Sequence, residues 1–467
     1  MMRRRAFMGT LAGAGVFFIP ATKLFGQELP KKQIRLAVVG AGGIGVMTRN
    51  ELQRAGATVA ALCDVDRNRL GEQAKHFPGI PTYTDWREMF RHEKDFDAVA
   101  VATPDHTHAI VGLNAMRLGK HVYIQKPLAH TFEECKMLMA EQKRRGVVAQ
   151  MGNQHHPRGK AYKVLIDANV IGNVKKVYCW TDRPAGWWPQ GMQAYPAEQM
   201  IPGYSKETWD IWVGPSAFHP CNPALAPFKW RGWWDYGCGA IGDMAIHNAD
   251  PAFETLELGL PIAVTATADS PVTVAYPLNG KIELTFGPTP KCPNGVTLTW
   301  TNSSKAPDRG QIAGLHPNYQ FDKNGLLFEG EKGAFNGIIY ENNPSIISYG
   351  GHDWNAESKE VQTEWAQKLR ELKYHNHYVQ FIQAIRDGKP EDCGSRMSYA
   401  APFTQALLIG AIALRFPGQT LRFDPATERF TNCDAANAFL KAPSRGDFSM
   451  KDFAEGIPVG NGVSPAK

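Results

Sequence analysis

Ile34-Arg35-Leu36-Ala37-Val38-Val39-Gly40-Ala41-Gly42-Gly43-Ile44-Gly45 decides the fold of this 467-residue chain. A short, mostly apolar strand runs straight into Gly40, Gly42 and Gly45, the spacing of a dinucleotide-binding turn. Gly40 permits the tight turn off the strand. Gly42 lets a pyrophosphate approach the backbone, and Gly45 lets the next helix pack close to the strand. Gly43 and Ile44 complete the helix start, whose unpaired N–H groups point at phosphate.

The surroundings of the glycines support this reading. A second strand, Thr58 to Leu62, ends in Cys63-Asp64. Asp64 lies about 20 residues beyond the glycines, where an acid binds the ribose hydroxyls of NAD. A carboxylate there repels the 2′-phosphate of NADP, a preference that Arg67 would soften. Alternating strands and helices continue to Met151, as a doubly wound sheet requires. Phe96 to Ala102 is a buried parallel strand that opens into Thr103-Pro104-Asp105-His106-Thr107-His108. Ile110 to Leu118 reads as a helix, His121 to Ile124 as a strand ending in Gln125-Lys126-Pro127, and Val147 to Met151 as one more strand. Thr131 and Glu134 form a capping box for a helix that Gly146 ends. Ligands bind outside the carboxyl ends of such strands, so the Thr103 and Lys126 loops belong to the cofactor crevice.

Beyond Asn153 the texture changes. Residues 155–235 are rich in Trp, Pro and Gly and read as long loops. Ile262–Ala268, Lys281–Phe286, Val296–Trp300 and Leu326–Glu329 read as strands of a mostly antiparallel sheet. Tyr374–Arg386 and Ser398–Leu414 read as amphipathic helices. The expected fold class is α/β, an N-terminal doubly wound domain over 32–152 and a C-terminal α/β domain with an open sheet over 153–440. Residues 441–467 are expected to be an irregular tail.

Composition narrows the function. The net charge is +6, but Arg3, Arg4, Arg5 and Lys23 lie in residues 1–27, which contain no acid, and the remainder carries only +2. Nothing in that balance points to a nucleic-acid partner, and none is expected. The eight cysteines contain no Cys-x-x-Cys pair and imply neither a disulfide framework nor zinc. The His106/His108 and His155-His156 pairs lack a third ligand at a recognised spacing, so no metal is expected. Arg3-Arg4-Arg5 before the mild apolar stretch Gly9 to Ala21 resembles a twin-arginine export signal over residues 1–27. The expected location is periplasmic, with membrane contact only through an uncleaved signal.

A second motif is Gly237-Cys238-Gly239-Ala240-Ile241-Gly242-Asp243-Met244-Ala245-Ile246-His247. Asp243 and His247 are four apart and share a face if the segment is α-helical. Such a pair moves a proton at neutral pH or simply caps a helix; the spacing alone does not choose.

The glycine turn with Asp64, the run from Thr103 to His108, Lys126-Pro127 and the Asp243/His247 pair together resemble the glucose–fructose oxidoreductase/inositol dehydrogenase (Gfo/Idh/MocA) family over about residues 33–430. The resemblance implies a Rossmann domain plus an α/β domain whose open sheet often forms an oligomer interface, hence a homo-oligomer. It implies that Lys126 lies beside the nicotinamide and the substrate hydroxyl, and that Asp243 and His247 bind a sugar and relay its proton. It adds Thr103, Pro104, His106, His108 and Gln125 to the cofactor contacts. Gln125 stands where Glu is usual, which is expected to shift the proton affinity of Lys126. Ala245 and Cys238 also depart from the common pattern.

Eight of the 12 tryptophans lie between Trp180 and Trp234. At least half are expected to pack in the core, and a few to stack on a sugar face. Arg183 and Trp187 are candidate substrate contacts, with Arg231 and Asp182 available to hydroxyls. The expected activity is hydride transfer between a tightly held NAD and a hydroxyl of a sugar or glycoside. One alternative is a redox-neutral, NAD-dependent glycoside hydrolase needing an extra base such as Tyr204 or His155. The other is a non-catalytic NAD-binding scaffold.

Overall fold

A computed structural model describes residues 33–450, apart from 270–272, 304–305, 313–314, 316–318, 339–343, 348–364, 366 and 370. The export-signal segment, 1–27, lies outside the described residues, as does the tail from 451 onward.

The first sheet contains β1 (Ile34–Val39), β2 (Ala57–Cys63), β3 (Thr82–Tyr83), β4 (Ala98–Val101), β5 (His121–Gln125) and β6 (Ala149–Gly152). Its order is β3-β2-β1-β4-β5-β6, and every pairing is parallel. The order reverses between β1 and β4, so both strands end at the crevice where such sheets bind ligands. Parallel strands buried on both faces need continuous apolar runs, and β4 is Ala-Val-Ala-Val, wholly buried. Helices α1 (Ile44–Arg54), α2 (Arg67–Ala74), α3 (Trp86–His92), α4 (Asp105–Arg117) and α5 (Phe132–Arg145) form the crossovers. Thr131 and Glu134 make the expected capping box, and Gly146 ends α5 in the left-handed conformation. Helix α4 starts five residues earlier than its apolar pattern suggested. Its first turn, Asp105 to His108, is polar yet buried.

The second sheet contains β7 (Val174–Trp180), β8 (Ala263–Ala268), β9 (Gly280–Phe286), β10 (Val296–Thr301), β11 (Gly325–Gly330), β12 (Ala334–Gly337), β13 (Ser345–Ile347), β14 (Thr420–Asp424) and β15 (Arg429–Phe430). The order is β13-β12-β11-β7-β10-β9-β8-β14-β15. Only β7 and β10 pair in parallel; the other pairings are antiparallel. Between β6 and β8 lie α6 (Gly159–Asp167), α7 (Lys206–Val213) and α8 (Asp250–Thr255). Of the eight tryptophans between 180 and 234, seven are buried, and Trp187 alone is exposed, at 46%.

Two further helices pack across the expected domain boundary. Helix α9 (His377–Asp387), capped by Asn376 and ended by Gly388, packs Tyr378, Phe381 and Ile382 against Ile34, Leu36, Val38 and Tyr123. It follows the second domain in sequence but covers a face of the first sheet. Helix α10 (Met397–Ala413) lies against α5, β8 and β9, so it joins the two sheets. The expected irregular tail is also anchored in its described part. Ala442 N donates to Glu133 at 2.8 Å, Arg445 pairs with Asp210 at 2.7 Å, and Phe448 and Met450 are buried.

Candidate active site

The glycine turn has the geometry its sequence implies. Gly40 has φ +88°, and a Cβ there would lie 2.5 Å from the Ala102 carbonyl oxygen. A Cβ on Gly45 would lie 1.8 Å from the Gly40 oxygen, so only glycine lets α1 start this close to β1. No side chain caps α1; Gly45 N and Val46 N turn back to the Gly42 and Gly43 carbonyls, at 2.9 and 3.2 Å, and no side chain blocks the helix start from a ligand. Asp64 sits at the end of β2 and accepts from Gly42 N and Asp66 N, both at 3.0 Å. The Thr103 hydroxyl is buried without a hydrogen-bond partner, and Ile44 is an exposed apolar side chain at the helix start. A bare helix start, an acid at the ribose position and an orphaned hydroxyl at the end of β4 fit a dinucleotide. The arginine beside the turn is Arg69 rather than Arg67: its Cδ is 2.8 Å from where a Gly42 Cβ would be.

Four expected cofactor contacts have partners within the protein. The His106 ring nitrogens meet the carbonyls of Tyr236, at 3.1 Å, and Trp212, at 2.7 Å. Those of His108 meet Pro127 and Thr103 carbonyls, both at 2.8 Å. Burial pulls the proton affinity of both rings down, to about 3 and about 4, against the pull of these carbonyls. His106 therefore fastens α4 to the second domain, and His108 fastens the Thr103 loop to the Lys126-Pro127 loop. Pro104 uses its carbonyl to hold Thr107 at the start of α4. Gln125 donates to Thr48 Oγ1 at 2.8 Å, tying β5 to α1.

Lys126, just beyond β5, reaches across to the second domain. Its Nζ donates to Asp243 Oδ1 and to the Asp243 carbonyl, both at 2.8 Å. Arg183 Nη1 donates to Asp243 Oδ2 at 2.8 Å, and Arg231 Nε to Oδ1 at 3.3 Å. Burial alone would raise the Asp243 pKa, but Lys126, Arg231 and Arg183 hold it well below the usual carboxylate range. Burial lowers the Lys126 pKa, and Asp243 opposes that shift. Arg183 lies 4.0 Å above the Trp187 ring, and Arg231 lies 4.1 Å from the Trp230 ring. Asp182 instead accepts from Asn324 at 3.1 Å.

Asp243 does not orient His247 as its spacing suggested. Residues Ile241–Ala245 form a π-turn, in which bonds run from i to i+5, so a four-residue separation no longer aligns two side chains. His247 Nδ1 meets Asn153 Oδ1 at 2.8 Å, while Asn153 Nδ2 donates to the Ile246 carbonyl at 3.0 Å. Asn153 thus presents an acceptor, which puts the proton on Nδ1 and the lone pair on Nε2. Burial, followed by Lys126 and His155, keeps the His247 pKa well below the ordinary value, so the ring is neutral at pH 7. His155 lies 5.4 Å from it, ring to ring. Nothing about position 153 in the sequence marked it.

Asp105 is a second residue the sequence left unassigned. Its Oδ2 accepts from Cys238 N at 3.0 Å, and burial raises its pKa to about 7 against Arg231 and Lys126. Tyr204 is beside Asp64 and Asp66, at the ribose end, which removes it as an extra base near Lys126. Deeper still, Asp250 accepts from His156 at 3.0 Å and from Tyr399 at 2.7 Å.

Residues 34–153 match the model of an oxidoreductase family, NAD-binding Rossmann fold, and residues 160–290 match that family's C-terminal alpha/beta domain. Inositol 2-dehydrogenase 2 of Saccharopolyspora erythraea is 31% identical over 183 residues, 38% of this chain and 52% of that protein. An alpha-N-acetylgalactosaminidase of Bacteroides fragilis is 34% identical over 119 residues, 24% of this chain and 28% of that protein. The chain spans about half or less of the length of the curated relatives it matches. The WlbA dehydrogenase of Bordetella pertussis, solved with NADH and UDP-GlcNAcA, superposes with a TM-score of 0.56 at 16% identity, over 85% of this chain and 99% of that one. At that identity the likeness concerns the fold.

Proposed function

The chain belongs to the Gfo/Idh/MocA oxidoreductase family, and from that premise we infer that it oxidises a hydroxyl of a sugar or glycoside with NAD. The observation that carries this reading is the bond between Lys126 and Asp243, with His247 close enough to feel both charges, beyond the end of β5, the strand next to β4 on the crevice side of the first sheet. NAD, when bound, supplies the hydride acceptor. Lys126 Nζ, fixed by Asp243, holds the substrate oxygen. His247 Nε2 takes the hydroxyl proton as the C–H bond transfers its electron pair, and Asn153 keeps that nitrogen unprotonated beforehand. Asp64 favours NAD over NADP by repelling a 2′-phosphate.

Export by the twin-arginine route to the periplasm, a tightly retained nucleotide and a homo-oligomer complete the reading. Arg3-Arg4-Arg5 supports the first. Retention follows from it, because a free NAD pool is absent outside the cytoplasm. A redox-neutral glycoside hydrolase is the second reading, favoured by His155 beside His247 and by the local match to the Bacteroides fragilis enzyme. Mass analysis of products from a panel of simple glycosides separates the two. Loss of two hydrogens from the intact glycoside supports the dehydrogenase. Release of the aglycone without net oxidation supports the hydrolase. NAD that dialyses away rapidly would contradict the retained cofactor.

A further inference from the structure

Asp243 is one carboxylate facing three cations. Lys126, Arg183 and Arg231 all bond to it, so three positive groups against one negative leave an excess of two. These side chains are only 15%, 25% and 19% exposed, so water screens them poorly. The other carboxylate felt by Lys126 and Arg231, Asp105, has its proton affinity raised to about 7 by burial, so near neutral pH it offsets only about half of one charge and the excess stays above one. Asp182 is turned to Asn324, and burial leaves His155 and His247 neutral. Oxidised nicotinamide would add one more positive charge beside Lys126.

The two guanidiniums also retain unused donors. Arg183 spends Nη1 on Asp243, and Arg231 spends Nε on Asp243 and Nη1 on the Phe228 carbonyl. Their remaining N–H groups have no hydrogen-bond partner among the described residues. Trp187 under Arg183, and Trp230 and Phe228 beside Arg231, fix the planes of these forks.

We propose that the substrate is an acidic sugar, whose oxyanion (a carboxylate or a phosphate ester) seats on Arg183 and Arg231 while its reacting hydroxyl meets Lys126. The proposal rests on the dehydrogenase reading and narrows its substrate class. A neutral sugar would leave the buried excess charge unanswered, whereas an oxyanion supplies it and takes the planar forks.

The test is titration of the NADH-loaded full chain with D-glucuronate, its neutral isostere glucuronamide, glucose 6-phosphate and glucose, read by quenching of NADH fluorescence. A charge-assisted pair is worth about 1.5–3 kcal/mol, so at least one acidic sugar should bind roughly 10–100-fold tighter than its neutral counterpart. The margin should shrink in high salt. Glucuronate against glucose 6-phosphate shows which oxyanion fits. Arg183→Gln or Arg231→Gln should cut the margin about tenfold while NADH binding is retained. If a glutamine variant loses NADH binding, Arg183→Lys, which keeps the charge without the fork, should retain part of the margin. Equal affinity for acidic and neutral sugars, or no binding of either acid, overturns the proposal. NADH formation with NAD-loaded protein is scored separately. Acidic sugars that bind preferentially but are never oxidised would sink the dehydrogenase reading and leave the charge preference standing.

Discussion

Lys126 is where the two domains meet chemically, and its substitution is the most direct probe. Lys126→Met should lower kcat about 10²–10³-fold, the usual cost of losing one donor to an oxygen on which charge develops, with NADH binding preserved. Undiminished turnover would move the chemistry elsewhere. Asp243→Asn makes a signed prediction about pH. Asp243 raises the lysine's proton affinity, so its loss lowers that affinity further. The limb of the kcat/KM profile that reports Lys126 should therefore move to lower pH. The same variant leaves three cations without a counterion and should cost on the order of 3–5 kcal/mol of stability in urea unfolding. Lys126, Asp243 and His247 could be singled out as candidates in the sequence because each falls in a motif tied to a strand end or a glycine run. Asn153 was not, because a lone asparagine after a strand carries no spacing signal; only the fold brings it to His247. His106 and His108 misled for the converse reason. Their place at a strand end suggested ligand contact, yet their rings satisfy buried carbonyls.

Among elements, the short turn that follows β6 and helix α8 are joined by His156 and Asp250. Burial lowers the histidine's proton affinity, but Asp250 reverses this and carries it up to about 9. An unfolded histidine titrates near about 6.5. The folded state thus binds the proton more tightly. The stability from this pair is complete below about pH 6.5 and is lost as pH rises through about 9. His156→Gln should flatten the dependence of urea midpoints on pH in that window; an unchanged slope would exclude the pair as its source. Helix α9 gives a second test. Phe381→Ala removes a fully buried ring between α9 and the first sheet, and should cost about 3–5 kcal/mol, seen as a lower Tm. The apolar stripe of α9 was readable, but a stripe says only that one face is covered. It does not say that the cover is a sheet more than 200 residues earlier. The π-turn at Ile241–Ala245 was equally hidden, because no residue pattern distinguishes it from an α-turn.

For the whole molecule, the doubly wound class of the first sheet and the mostly antiparallel character of the second followed from strands that alternate with helices up to Met151 and strands without helices between them after it; the strand order was not read from the sequence. The end of the described chain did not. Residues after Lys441 look like a polar tail, yet Arg445 reaches Asp210 and Gly214, and Arg117 donates to the Met450 carbonyl at 2.7 Å. Deleting everything beyond residue 441 should therefore lower Tm by several degrees in calorimetry, since the core loses the packing of Phe448 and Met450; an unaltered melt would show the segment to be dispensable. Helix α9 also imposes a schedule on biosynthesis. Residues 33–152 leave the ribosome first, but the helix that covers one face of their sheet is completed only at residue 387. At about 5–20 residues per second, that interval lasts roughly 10–50 s. Throughout it the nascent first domain carries an uncovered apolar face, and a chaperone would have to shield it until the last part of the nucleotide-binding core is made.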